Sequence, residues 1–233
     1  MELYQHDRDF SIKINGLELM NSRQHESEQE LARLGCAHLV GRQAPCVLIG
    51  GLGLGYTLRQ ALDLLGPDAS VMVSELLPAV VDWNREYLRE LNNRPLEDTR
   101  AQIIPGDIFP LISQSTGRFD AILLDVDNGP VAMTDSGNQR LYSAAGVQAC
   151  RRALRKQAVL AIWSTEQNKD FEQILISCGF RVRRYRVKAY PASSSKPLFI
   201  WVAALDEALL PAGGAEPFQP GKRDPGENRR ASR

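Results

Sequence analysis

A chain of 233 residues, 43% of them apolar, is long enough for one domain with a sizeable core plus extensions. Its 28 lysines and arginines balance 28 aspartates and glutamates, so global charge gives no reason to expect nucleic acid or an anionic membrane as a partner. No apolar run reaches the roughly 18 residues of a spanning helix, Met1 to Phe10 is polar, unlike a signal peptide, and the four cysteines (Cys36, Cys46, Cys150, Cys178) form no Cys-x-x-Cys pair; the expectation is a cytoplasmic protein with free thiols and no metal site.

Residues 10–20 alternate on either side of Asn15-Gly16, a pair that tolerates the positive φ of a type I′ turn, which predicts a small N-terminal β-hairpin within residues 1–25. A helix is expected from about Glu26 to Val40, with Leu31 and Leu34 on its inner face. From Cys46 onward, short apolar runs without polar alternation alternate with amphipathic segments. The runs are Cys46–Ile49, Val71–Ser74, Ala121–Leu124 and Val159–Trp163. Helical spacing recurs at Leu58, Ala61, Leu62 and Leu65, at Val147, Cys150 and Leu154, and at Phe171, Ile174, Leu175 and Cys178, where Gly179 supplies a stop. Such alternation predicts a mostly parallel sheet with helices on both faces over residues 26–210. Phe180–Val187 and Leu198–Leu205 flank a Pro/Ser-rich loop too short for a helix and should pair antiparallel. Beyond Leu210 the prolines, glycines and charges cannot bury a core, so 211–233 is expected as a mobile tail.

The chemistry-bearing segments lie where those strands end. Gly50-Gly51-Leu52-Gly53-Leu54-Gly55 separates a strand from a helix, letting the backbone approach a ligand at a helix N-terminus. Some twenty residues later Glu75 ends the second strand, where a carboxylate can accept from both ribose hydroxyls of an adenine nucleoside. Gly106-Asp107 ends a third strand, where a carboxylate can accept from the exocyclic amine of adenine. Asp125-Val126-Asp127-Asn128 ends the fourth. If the backbone stays extended, Asp125 and Asp127 point to one side and can hold or deprotonate a cationic amine. A turn rich in Asp and Asn for turn reasons alone is the plain alternative. Tyr142 is a candidate pocket-lining residue, although packing is the commoner use; Trp163 ends the fifth strand near the site edge and could line it, with the core the commoner place. The stripe Arg181, Arg183, Arg184, Arg186 and Lys188 reads as a solvated strand edge rather than an RNA contact.

These landmarks together (Ile49-Gly50-Gly51, the Glu75 segment, Gly106-Asp107, the strand ending in Asp125, and the stretch around His25-Glu26) resemble the spermidine synthase, or polyamine aminopropyltransferase, family within the class I AdoMet methyltransferase-like superfamily. The resemblance implies a Rossmann-like α/β fold with a seven-stranded sheet ending in an antiparallel hairpin. It implies decarboxylated AdoMet or AdoMet held by Gly50, Gly51, Gly53, Gly55, Glu75, Gly106 and Asp107, with Asp125 as base and Asp127 or Asn128 orienting an amine acceptor; it also implies a homodimer. Two positions depart from the family pattern. Gly53 stands where the family has an Asp inside the glycine turn, and Asn128 stands where it has a second Asp. Aminopropyl transfer is therefore the first expectation, with methyl transfer to a small molecule or RNA and non-catalytic nucleotide binding left open.

Overall fold

The computed structural model describes residues 1–126, 139–190 and 196–218. Three N-terminal strands, β1 (Glu2–His6), β2 (Asp9–Ile14) and β3 (Leu17–Asn21), form an antiparallel sheet in that order. The turn between β2 and β3 is Asn15-Gly16, at φ 51° and 78°, as the sequence predicts. The third strand was not expected: β1 reaches β2 through a tight turn in which Asp7 takes φ 55°, a conformation the sequence does not announce as it does at Asn-Gly.

The main sheet contains β4 (Cys46–Gly50), β5 (Ser70–Glu75), β6 (Ala101–Pro105), β7 (Phe119–Leu124), β8 (Leu154–Ser164), β9 (Arg181–Val187) and β10 (Leu198–Ala204). Their order is β6-β5-β4-β7-β8-β10-β9; β4, β5, β6, β7 and β8 pair in parallel, and β10 runs antiparallel between β8 and β9. The expected fold class is thus the observed one. The helices are α1 (Glu26–Cys36), α2 (Tyr56–Leu64), α3 (Pro78–Glu86), α4 (Ile108–Ser113), α5 (Gln139–Tyr142), α6 (Ala144–Ala153) and α7 (Lys169–Ser177). The helix expected to reach Val40 stops at Cys36 and finishes as a 3₁₀ turn over Ala37–Leu39. None of the described helices is long and apolar enough to cross a membrane.

Two apolar layers cover the two sheet faces. One gathers Leu31, Val47, Ile49, Leu58, Leu123 and Ile200; the other gathers Leu48, Phe119, Ile122, Cys150, Phe171 and Trp201. In each strand alternate residues go to opposite layers, which is why the runs are apolar throughout. Helix α1 lies close on the sheet because Gly35 has no side chain: a Cβ there would run into Leu123 and Ala161. That contact fixes which way the rest of α1 faces. Residues three and seven positions apart share a helix face, so Glu28 lies on the same stripe as Leu31 and Gly35, about 10 Å nearer the helix N-terminus than Gly35.

At the far edge, Pro211 to Phe218 is tied to β9 instead of leaving the domain. Arg184 and Ala215 exchange backbone hydrogen bonds at 2.9 and 2.7 Å, the Tyr185 hydroxyl donates to the Pro211 carbonyl, and Phe218 N–H donates to Glu172 Oε2 at 2.8 Å. Glu172 is fully buried and also accepts from Arg184 and from the Trp201 indole at 2.8 Å. The basic stripe on β9 is therefore partly internal: Arg184 pairs with Glu172, and Arg183 pairs with Glu207 and Glu216.

Candidate active site

A cavity of about 540 Å³ opens at the carboxyl end of the parallel strands, beside the point where the chain order reverses between β4 and β7. Ligands of open α/β sheets bind at such points. The glycine turn after β4, the ends of β5, β6 and β7, the first turn of α1, and β3 of the small sheet all line it.

The turn is built by backbone constraints. Gly51 takes φ 89° and donates its N–H to Ser74 O at 2.9 Å, while Asp125 N–H donates to Gly50 O at 2.9 Å. A Cβ on Gly51 would collide with the Asp125 carbonyl, so only glycine lets the ends of β4 and β7 close together. Gly53 takes φ 52°, and the Met20 sulfur stands 3.1 Å from where its Cβ would be, so the thioether of β3 fills the space in front of the turn. Asn84 and Asn92 brace the turn by donating to the carbonyls of Gly53 and Leu54.

Glu75 is 7% exposed and lines the cavity. Its two oxygens accept from Leu52 N–H and Leu77 N–H, each at 2.8 Å, which locks the carboxylate across the mouth of the turn and leaves one lone pair on each oxygen for a ligand hydroxyl. Asp107 caps α4 by accepting from Phe109 N–H at 2.8 Å and pairs with Arg140 at 2.8 Å, at the cavity's edge. Gly106 takes φ 121° beside it.

Asp125 ends β7 on the cavity floor. It accepts from the Thr57 hydroxyl of α2 at 2.7 Å. The same hydroxyl oxygen lies 3.3 Å from the Glu28 carbonyl, but a hydroxyl has one proton and the shorter contact takes it. Burial raises the Asp125 carboxyl to about 6, against the lowering effect of Thr57, and the charge of Glu75 adds to the rise. Glu28 also lines the cavity; burial, then the charge of Asp125, raises its carboxyl to about 7. Among the described residues no lysine, arginine or histidine forms an ion pair with Glu28, Asp125 or Glu75. The Tyr56 phenol, also in the cavity wall, is pushed up to about 12 by burial and by Glu28, and its ring stacks on His25 at 4.2 Å.

The structure brings together Gly51, Gly53, Glu75, Gly106, Asp107 and Asp125 around one cavity, with Gly50 and Gly55 bounding the turn behind them. Asp127 and Asn128 lie outside the described residues. Tyr142 packs rather than lines: it is buried edge-on against Phe171 and its hydroxyl donates at 3.2 Å to the carbonyl of Val126, which does line the cavity. Trp163, for which the core is the commoner place, lines the cavity. His25, which the sequence leaves as a solvated helix start, is partly covered by its stack on Tyr56, and its Nδ1–H donates to the Ser22 carbonyl at 2.8 Å. Sequence reasoning missed Glu28, Thr57 and Met20. The available signal for Glu28 was an acid three residues before the inner-face Leu31, on the stripe that should be apolar.

Comparisons with known proteins bear on the family and on the fold that carries this cavity. The family model described as the spermine/spermidine synthase domain matches residues 32–194. A polyamine aminopropyltransferase from Saccharolobus islandicus is 29% identical over 126 residues, which are 54% of this chain and 40% of that relative. One from Sulfolobus acidocaldarius is 31% identical over 98 residues, 42% of this chain and 31% of the relative. The matched stretch thus spans well under half the length of these curated relatives. Among solved structures, spermidine synthase from Thermotoga maritima superposes with a TM-score of 0.67 at 19% identity, covering 88% of this chain and 72% of that one. A spermidine synthase bound to the transition-state analogue AdoDATO gives 0.65 at 20% identity over the same shares. At these identities the superpositions speak to the fold.

Proposed function

Because the chain belongs to the spermine/spermidine synthase domain family, we propose that it transfers the aminopropyl group of decarboxylated AdoMet to a small amine acceptor. The observation that carries this reading is Asp125, a carboxylate on the cavity floor opposite the Glu75 anchor, with its carboxyl raised to about 6. Glu75 would hold the ribose hydroxyls, the glycine turn would receive the nucleoside against its backbone, and Asp107 would meet the adenine amine. This puts the sulfonium near Asp125.

The reaction needs little from the protein beyond placement and one proton acceptor. The amine nitrogen attacks the methylene carbon attached to sulfur. A carbon–nitrogen bond forms, the carbon–sulfur bond breaks, and its electron pair stays on sulfur as a neutral thioether. An alkylammonium near pKa 10 is not a nucleophile, so the acceptor must lose a proton before or during attack. A carboxylate titrating near 6 is mostly ionised at neutral pH and is a stronger base than an ordinary aspartate, as general-base work requires. Alignment of nitrogen, carbon and sulfur inside the cavity supplies the rest. A basic amine product and a neutral adenosyl thioether leave.

The test is to incubate the protein with decarboxylated AdoMet and a panel of di- and triamines and to follow aminopropylated products by mass spectrometry, with Asp125→Asn and Glu75→Ala beside wild type. Product from wild type, lost by orders of magnitude in Asp125→Asn, is expected. Methylated product from AdoMet, or no binding of either nucleotide by a folded protein, refutes the reading.

A further inference from the structure

The carboxylate of Glu28 has no evident structural reason to be where it is. It stands two turns from Gly35 on the side of α1 that carries Leu31 and Gly35, half-buried where that side meets the cavity. Among the described residues its side-chain hydrogen-bond partner is the neighbouring Ser27 hydroxyl, which donates to Oε2. The charged and titratable residues lining the same cavity are Asp125 after β7, Glu75 from β5, Glu18 from β3, Asp107 ahead of α4, Tyr56 from α2, Lys196 ahead of β10 and Met1 with its amino group, and no ion pair joins Lys196 or Met1 to Glu28 among the described residues. Acids dominate that set, and Lys196 makes no ion pair with Glu28 or Asp125. Two carboxylates held near one another in a partly enclosed cavity are costly unless a cation joins them. The glycine turn cannot supply a further acid, since Gly53 carries no side chain and the Met20 thioether covers it.

A ligand of the transfer reading brings two cations, a sulfonium and the terminal ammonium of its aminopropyl chain. Resting on that reading, we propose that Glu28 is the specificity-determining carboxylate of this site, gripping the terminal ammonium of the aminopropyl group from α1 and leaving Asp125 to the acceptor amine. The assignment explains why an acid occupies this cavity-facing position beside Leu31 and Gly35 and why the turn beside it can be uncharged. It also gives the site a preference. AdoMet differs from its decarboxylated form by a carboxylate on the carbon bearing that amine. Beside Glu28 and Asp125 that extra negative charge is repelled, whereas the decarboxylated chain offers only positive charge.

The experiment is calorimetric titration at about pH 7.5 of wild type, Glu28→Gln and Glu28→Leu with three probes: decarboxylated AdoMet, AdoMet, and 5′-methylthioadenosine, which keeps the adenosyl thioether and has neither ammonium nor carboxylate. Losing a charge-assisted hydrogen bond should weaken decarboxylated AdoMet about 10- to 100-fold in both variants. Binding of 5′-methylthioadenosine should stay within about twofold, which also reports an intact fold, and the preference over AdoMet should collapse. Unchanged affinity for decarboxylated AdoMet, or equal losses for all three probes, overturns the role of Glu28 while the transfer reading stands on wild-type binding. Wild type that binds none of the probes, or prefers AdoMet, overturns both.

Discussion

Replacing Glu28 by Gln should make the ligand-free protein more stable at neutral and alkaline pH, because the carboxylate is held where its charge is unfavourable. Its carboxyl is raised from 4.5 to about 7 by burial and by Asp125. A folded-state value above the unfolded one means that the folded chain holds the proton more tightly. The associated stability is complete below about pH 4.5 and is lost as pH rises through about 7. A rise from 4.5 to about 7 corresponds to about 3 kcal/mol as an upper bound. Gln keeps the shape and still accepts from Ser27, so packing changes little. Relaxation around a cavity lowers the figure, and a gain of about 1–3 kcal/mol, or roughly 3–8 °C in Tm for a chain of this size, is expected at about pH 7.5. Because Asp125, Glu75, Asp107, Glu18, Tyr56 and Lys196 are present in both proteins, the difference between the two melting curves isolates Glu28 and its coupling to Asp125. By linkage the gain should fall by more than half on going to about pH 5.5. Differential scanning calorimetry on both proteins at the two pH values measures this directly. An equal gain at both pH values would assign the effect to packing, and a loss at the higher pH would mean that the carboxylate is already paired in the free protein; either result refutes the electrostatic argument.

Three further outcomes follow from other parts of the structure. Thr57→Val removes the hydroxyl that donates to the Asp125 carboxylate at 2.7 Å; the ionised form loses a stabilising bond, so the acid limb of the kcat/KM profile should move about 1–2 pH units upward, and an unmoved limb would separate Asp125 from the rate. Gly51→Ala forces a Cβ onto the Asp125 carbonyl at φ 89°, which should cost at least about 1–3 kcal/mol of stability in a urea melt and abolish nucleotide binding by titration, with wild-type affinity counting against the turn as the nucleoside seat. Ending the chain at Leu210 removes the backbone pair between Arg184 and Ala215 and the Phe218 donor to Glu172; a loss of about 2–4 kcal/mol is expected by denaturant unfolding, and an unchanged midpoint would return Pro211–Phe218 to the dispensable tail that its composition suggests.

What was legible in the sequence is what depends on neighbours along the chain. The strands of the parallel sheet announce themselves because both faces are covered, so Val47–Ile49 and Ala121–Leu124 carry no polar residue. The loops at their carboxyl ends stand out because Gly51 and Asp125 break those runs. The antiparallel ending was legible because the gap between β9 and β10 cannot hold a helix. What was not legible depends on contacts between distant segments. The composition of Pro211 to Phe218 reads as disorder, yet it is held by a backbone pair on an open strand edge, the Tyr185 hydroxyl, the Arg183–Glu216 ion pair and one buried acceptor, Glu172, none of which leaves a periodic signal. Tyr142 packs, the commoner use of such a ring, whereas Trp163 lines the cavity, because a ring next to a site and a ring in the core satisfy the same local pattern.

Glu28 is the most instructive of these cases. Helical periodicity anchored on Leu31 already puts Glu28 on the inward stripe, and an inward acid conflicts with the rule that generated the helix. Such a conflict has two resolutions, a mis-registered helix or a position kept for a ligand. The sequence cannot choose, because the deciding facts lie elsewhere in the chain: Gly35 lets α1 sink against Leu123 and so fixes its rotation, Thr57 brings the backbone of Glu28 and the side chain of Asp125 to one hydroxyl, and Met20 covers the turn. With the register settled, the acid is neither surface decoration nor part of an ion pair. A carboxylate held in the cavity wall against its own desolvation and the charge of Asp125 is best accounted for by a cation that arrives from outside, which is why the ligand-free stability of Glu28→Gln and its loss of affinity for decarboxylated AdoMet should appear together in one variant.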